Sequence, residues 1–164
     1  MIVLGLTMGM QPIVGYNFGA QKIDRVKQTL RLGIISGVVI TSSGFVICEF
    51  FPHAVSALFT DSDELIDLAV GGIRLTVLMF PFVGAQIVIG NFFQSIGKAK
   101  VSIFLSLTRQ LLYLLPCLLL FPNWWGLEGI WISMPVSDAL AFITAVISLM
   151  IYIKKVSKQH LIAE

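Results

Sequence analysis

The sequence predicts an all-α integral membrane protein, a polytopic helical bundle of about five transmembrane segments. Three observations predict it. Hydrophobic residues make up 57% of the 164 positions and charged residues only 12%, against about 45–50% and about 25% in ordinary domains. Positions 1–21, 32–48, 75–97 and 110–127 carry no Asp, Glu, Lys or Arg, and the longest of these runs holds 23 residues. As a helix that run covers about 35 Å, enough to cross a bilayer core of roughly 30 Å. Basic residues, finally, fall in alternate connections between the apolar runs. A soluble enzyme, a disordered chain and a nucleic-acid-binding domain are all excluded by this composition.

The apolar segments fall at about 1–20, 32–52, 67–91, 101–121 and 127–153, followed by a tail over 154–164. The first connection, Gln21 to Arg31, carries Lys22, Arg25, Lys27 and Arg31 against Asp24 alone. The second, Pro52 to Asp67, carries Asp61, Asp63, Glu64 and Asp67 and no Lys or Arg. The third holds Lys98 and Lys100, the fourth only Glu128, and the tail Lys154, Lys155 and Lys158. The positive-inside bias puts the basic connections and the C-terminus in the cytoplasm, and Met1 on the outer side. Trp124, Trp125 and Trp131 cluster at an outer connection as interfacial anchors. Asp61 and Glu64 have capping-box spacing and are expected to start the third span. The chain opens directly on apolar Ile2, without the basic region of a secretory leader, as if it began partway through a membrane helix.

Gly5/Gly9, Gly15/Gly19 and Gly33/Gly37 have the four-residue spacing that lets helix backbones approach, and are read as ordinary packing positions. Pro12, Pro81, Pro116 and Pro135 lie inside four of the five segments. Each removes a backbone donor and disturbs the carbonyl one turn earlier, so bent helices around a cavity are expected. Cys48 and Cys117 lie in apolar runs and form no metal or redox spacing.

Polar groups at membrane depth are costly and need a reason. Asp138 lies midway along the last segment and Arg109 in the cytoplasmic half of the fourth. Asp138 is either a proton or cation site facing water, or an interhelical partner of Arg109 or of a backbone donor freed beside Pro135. Glu49 and Arg74 lie near outer ends, where their side chains reach headgroups. Gln11, Asn17, Gln86 and Asn91 are candidate cavity amides, with Gln94 closer to the cytoplasmic end. Each can hold a ligand or bond a neighbouring helix. No metal-spaced His pair, phosphate-binding glycine loop or Ser/His/Asp set occurs, so no metal, cofactor or catalysis is expected.

The segment Gly9-Met10-Gln11-Pro12-Ile13-Val14-Gly15-Tyr16-Asn17-Phe18-Gly19-Ala20, followed by Asp24-Arg25, resembles a signature of the MATE (multidrug and toxic compound extrusion) transporters. Pro81-Phe82-Val83-Gly84-Ala85-Gln86 and Phe93-Gln94-Ser95-Ile96-Gly97-Lys98-Ala99-Lys100 are similar to that family's tenth helix and the loop after it. Thr108-Arg109-Gln110, Gly126-Leu127-Glu128-Gly129-Ile130-Trp131 and Pro135-Val136-Ser137-Asp138 resemble its last two helices. The resemblance runs from about residue 5 to 153. It implies the eighth to twelfth helices of a twelve-helix, two-lobe antiporter, hence most of a C-terminal lobe, with the N-terminal lobe of the same chain as its missing partner. Such proteins sit in membrane lipid, here implied to be the bacterial inner membrane. They export small organic cations or drugs in exchange for H+ or Na+ by alternating access. One position departs: where the sodium-coupled NorM branch has a carboxylate three residues before the matching glutamine, this chain has Val83. That implies a type nearer DinF-like, with any coupling carboxylate in the other lobe. Two alternatives stay open. A lipid-linked oligosaccharide flippase of the same superfamily would want a cavity rich in Arg and Lys, and only Arg109 and marginal Arg74 are at depth. The other is a small membrane assembly subunit without transport activity.

Overall fold

The computed structural model describes residues 1–163, with side chains through Val156. In chain order the helices are α1 (Ile2–Gly19), α2 (Ile23–Phe50), α3 (Pro52–Ala57), α4 (Asp63–Val77), α5 (Phe80–Ser95), α6 (Ala99–Leu107), a π-helical segment (Thr108–Leu114), α7 (Leu115–Leu120) and α8 (Pro122–Ala163). Among the described residues there is no strand. Every backbone N–H and C=O in a bilayer must be satisfied internally, and helices do this within one segment.

Ile23–Phe50, Ala99–Leu120 and Pro122–Val156 are each long and apolar enough to cross a membrane. Asp63–Val77 and Phe80–Ser95, joined at a 48° bend, make a fourth such length. α1, expected as the span 1–20, has 18 residues and is not among them. Gln11, Pro12 and Asn17 lower its hydropathy.

Several boundaries differ from the expected ones. The basic stretch read as a connection, Gln21 to Arg31, is a turn followed by the first two turns of α2, which therefore starts well before residue 32. Val26 and Leu30, four apart, bury against the core and draw this stretch into the helix. α4 starts at Asp63 with Ser62 before it and no side-chain cap, so the expected Asp61–Glu64 capping box does not form. Asp63 and Glu64 instead occupy the first turn, where the helix dipole favours carboxylates. The span expected over 67–91 is two helices. Its break at Leu78–Met79 lets Pro81 take an early position in α5, where its missing N–H costs no helical bond. Pro12 and Pro135, by contrast, stand inside α1 and α8 without ending them. α8 is broken only at Gly126, whose φ of 54° and ψ of −131° a side chain would resist. It then runs past residue 153 into the expected tail; the side chains of Lys158 and His160 lie outside the described residues.

The two lysine-bearing turns close alike. After α1, the Gln21 N–H donates to Phe18 O and the Lys22 N–H to Asn17 O, at 3.1 and 2.9 Å. After α5, the Gly97 N–H donates to Gln94 O and the Lys98 N–H to Phe93 O, at 3.1 and 2.8 Å. Both are Schellman closures with the turning residue at positive φ, Gln21 at 57° and Gly97 at 75°.

α5 is the hub of the bundle, in contact with α1, α2, α6 and α8. Its Val88, Ile89, Phe92 and Phe93 join Val14, Leu30, Leu105 and Ala145 in one core. The tightest approach is between α2 and α5, where a Cβ on Gly84 would collide with the Gly37 carbonyl and one on Gly37 would come within 3.0 Å of Gly84 O. One turn earlier in α2, Gly33 lies under Met10 and Val88. Gly72 accepts the Trp131 ring, so Trp131 is half-buried between α4 and α8 whereas Trp124 and Trp125 are exposed. In α1 only Gly15 has a close neighbour, Ser95 O at 3.4 Å from an added Cβ. Gly5, Gly9 and Gly19 have none within 4 Å, so the packing role expected of Gly19 is not seen: the helix ends there and turns away.

Gly84→Ala is therefore expected to force α2 from α5 and cost about 1–3 kcal/mol, as overpacking usually does. Gly9→Ala should cost nothing, which unfolding of both variants in mixed micelles would check.

Candidate functional site

Polar side chains at regular helical spacing meet between α5 and the rod formed by α6 and the π-helical segment. Gln86, Asn91 and Gln94 come from α5, and Ser102, Ser106 and Arg109 from the facing helix, where spacings of four and three residues put them on one face. They line a cavity of ≈ 240 Å³. Gln86 is only 7% exposed and its Oε1 has no hydrogen-bond partner. Asn91 commits Nδ2 to the Ile87 carbonyl, one turn back, at 3.0 Å. The cavity thus sets amide side chains of α5 opposite hydroxyls and a guanidinium, with the Gln86 oxygen itself buried.

Arg109 is not a lone cation there. Its Nε donates to Asp138 Oδ1 of α8 at 2.8 Å, with the Asp138 side chain 8% exposed and that of Arg109 34%. Of the two readings open for Asp138, the geometry joins it directly to Arg109. Neither charge is isolated at depth, and the pair brings no net charge to the cavity.

The backbone that carries Arg109 has a local cause. Pro116 has no N–H and its ring crowds the carbonyl four residues back. The preceding turns widen, and the Leu115 N–H reaches Gln110 O, five residues back. Such π-helical turns are rare and concentrate at functional sites. A second link ties this segment to α8: Tyr113 Oη lies 2.8 Å from Thr144 Oγ1. Thr108, at the start of the segment, is buried and bonds Phe104 O at 2.6 Å.

Gln86, Asn91 and Arg109 come together, with Asp138 behind Arg109. Gln11 and Asn17 stand apart on α1. Gln11 is exposed; Asn17 is buried, with Nδ2 on Ile13 O at 2.8 Å and Oδ1 unpartnered. Ser102, Ser106, Tyr113 and Thr144 were not expected. Ser102, Ser106 and Arg109 at i, i+4 and i+7 are a polar stripe on an otherwise apolar helix, and that signal was present in the sequence. Glu49 and Arg74 approach to 4.0 Å at the surface, a contact worth little. Among the described residues no three His, Cys, Asp or Glu side chains are placed to hold a metal ion.

Bent and broken apolar helices around a polar cavity are the architecture of a polytopic helical membrane protein. A family profile described as MatE matches residues 1–119. The chain belongs to the MatE family. It is similar to the multidrug export protein MepA of Staphylococcus aureus, 24% identical over 151 residues that cover 90% of this chain and 32% of that one. It is similar also to the solved MATE multidrug transporter DinF-BH, with a TM-score of 0.85 and 37% identity over 90% of this chain and 33% of that one. An inward-facing multidrug resistance MATE family transporter superposes with a TM-score of 0.88 at 19% identity, over 95% and 37% of the two chains, a likeness of fold. The higher identity with DinF-BH puts the chain nearer the DinF-like type. The chain spans about a third of the length of the relatives it matches.

Removing either partner of the Arg109–Asp138 pair leaves a charge unmatched at depth. Arg109→Leu or Asp138→Leu alone should cost about 3 kcal/mol, the low end for a broken buried pair because Arg109 is partly exposed. The double variant should recover most of that, and a double-mutant cycle on micellar unfolding would reveal additivity if the pair were idle.

Proposed function

We propose that this chain forms part of a multidrug efflux antiporter: residues 1–153 as most of the C-terminal lobe of a two-lobe transporter, and 154–164 as a cytoplasmic tail. In this reading it exports small organic cations or drugs in exchange for H+ or Na+, by alternating access against an N-terminal lobe. It sits in the bacterial inner membrane with its C-terminus inside, as the alternation of basic connections favours. The observation that carries the proposal is the 37% identity with a MATE multidrug transporter over 90% of this chain. The cavity chemistry agrees with it. Amide and hydroxyl side chains line the cavity, and the Arg109 charge is offset by Asp138, so the wall does not repel an organic cation. Val83, half-buried and apolar, leaves α5 without a carboxylate for a coupling ion near Gln86, which supports coupling through the other lobe.

Alternating access requires two bundles rocking about a shared site, so vesicles holding this chain alone should show no dye efflux. Residues 5–153 grafted in place of the matching third of MepA should restore export of a cationic dye from cells. Efflux from the lone chain sinks the lobe assignment; a stable, inserted chimera that exports nothing sinks the export reading. Asp138→Asn in the chimera should lower the amount of folded protein but leave the pH dependence of export per molecule unchanged.

A further inference from the structure

A second cavity, of ≈ 400 Å³, opens where the α5–α6 turn meets the far end of α8. Its walls are apolar, with Phe93, Val101, Phe104 and Ile151, while Lys98, Lys100 and Lys155 stand around it. No Asp or Glu is among the described residues that line it. Phe104 and Ile151 are 53% and 63% exposed, so the apolar wall continues onto the outer surface of the bundle.

The lysines are placed by structure. The Schellman closure after α5 sets Lys98 beside Phe93 through its N–H to Phe93 O. Lys98 Nζ then sits 4.5 Å from the Tyr152 ring centroid, and that ring packs edge-on against Phe92 and Phe93. Lys100 lies in the first turn of α6, whose amino end has no side-chain cap and whose dipole adds partial positive charge. Three exposed cations with no carboxylate among them, around an apolar groove, are complementary to one kind of ligand: an anionic head on a hydrocarbon tail. Inorganic phosphate would leave the apolar wall unused, and a zwitterionic lipid would leave the lysines unmatched.

We propose that this cavity is a binding site for an anionic phospholipid, its phosphate among Lys98, Lys100 and Lys155 and an acyl chain along Val101, Phe104 and Ile151. The site needs only that the chain sits in a bilayer and is independent of what the protein transports. Each lysine near an anionic headgroup contributes about fivefold in affinity, and the three together on the order of a hundredfold.

The 164-residue chain in uncharged detergent can be titrated with dioleoylphosphatidylglycerol, dioleoylphosphatidylcholine or inorganic phosphate, with bound ligand counted by native mass spectrometry. Phosphatidylglycerol should bind more than tenfold tighter than phosphatidylcholine, with phosphate not retained. Lys98→Gln/Lys100→Gln/Lys155→Gln should abolish the preference, and each single change should reduce it about fivefold if the triple variant does not fold. Lys22→Gln/Lys27→Gln, which removes charge at the other basic turn, should change nothing. Equal retention of the two lipids, an unaltered preference in the lysine variants, or an equal loss in the Lys22/Lys27 control would each overturn the site. Phosphate binding as tight as that of the lipid would make it an anion site without a lipid.

Discussion

Everything in this molecule follows from the absence of water around its backbone. In a bilayer core an unsatisfied N–H or C=O costs several kcal/mol, so the chain must be helical wherever it meets lipid. The chain departs from the regular helix at three places of note. The 48° bend between α4 and α5 lies one residue before a helix begun by Phe80 and Pro81. The break at Gly126 lies beside the exposed tryptophans. The widened turn at Thr108–Leu114 faces α8, where Asp138 and Thr144 meet its side chains.

Close packing follows from the same environment. Lipid tails are as apolar as a leucine side chain, so helices gain little by burying leucine and more by bringing backbones together. α5 shows this at both ends. It touches α2 backbone to backbone at Gly37 and Gly84, and its Phe92 and Phe93 fill the wider space toward α1 and α8. With α5 fixed between its neighbours, Gln86 is held away from solvent with its oxygen unpartnered. A polar group in that state is a standing cost that only a ligand, water or another helix offsets.

The helical membrane architecture was legible because hydropathy and charge are carried by whole segments. Helix ends were less so. A basic run reads as a loop, yet Val26 and Leu30 within it are spaced for burial, and that weaker signal prevailed. The capping box at Asp61 and Glu64 was plausible by spacing, but the helix began one residue past Ser62 and needed no side-chain cap near water. At the site, the sequence supplied Gln86, Asn91, Arg109 and Asp138 as candidates, with the Arg109–Asp138 pairing as one of the readings open for Asp138. Which of them meet depends on helix rotation, and no local pattern encodes that across the 29-residue separation of Arg109 and Asp138. Gln11 and Asn17 had equal standing by residue type, and the turn of α1 put them elsewhere.

The wide turn ahead of Pro116 has a bearing on how this helix can change length. A π-helical turn is an α-helix holding one residue more than its pitch allows, bulged outward where its neighbours permit. Losing a single residue between Thr108 and Leu114 would return the rod to α-helical register. A one-residue loss anywhere else in Ala99–Leu120 would instead swing everything beyond it by about 100° about the axis. The segment that holds Arg109 is thus where this helix carries its slack, and the surplus residue sets the angular phase of α7 against α6.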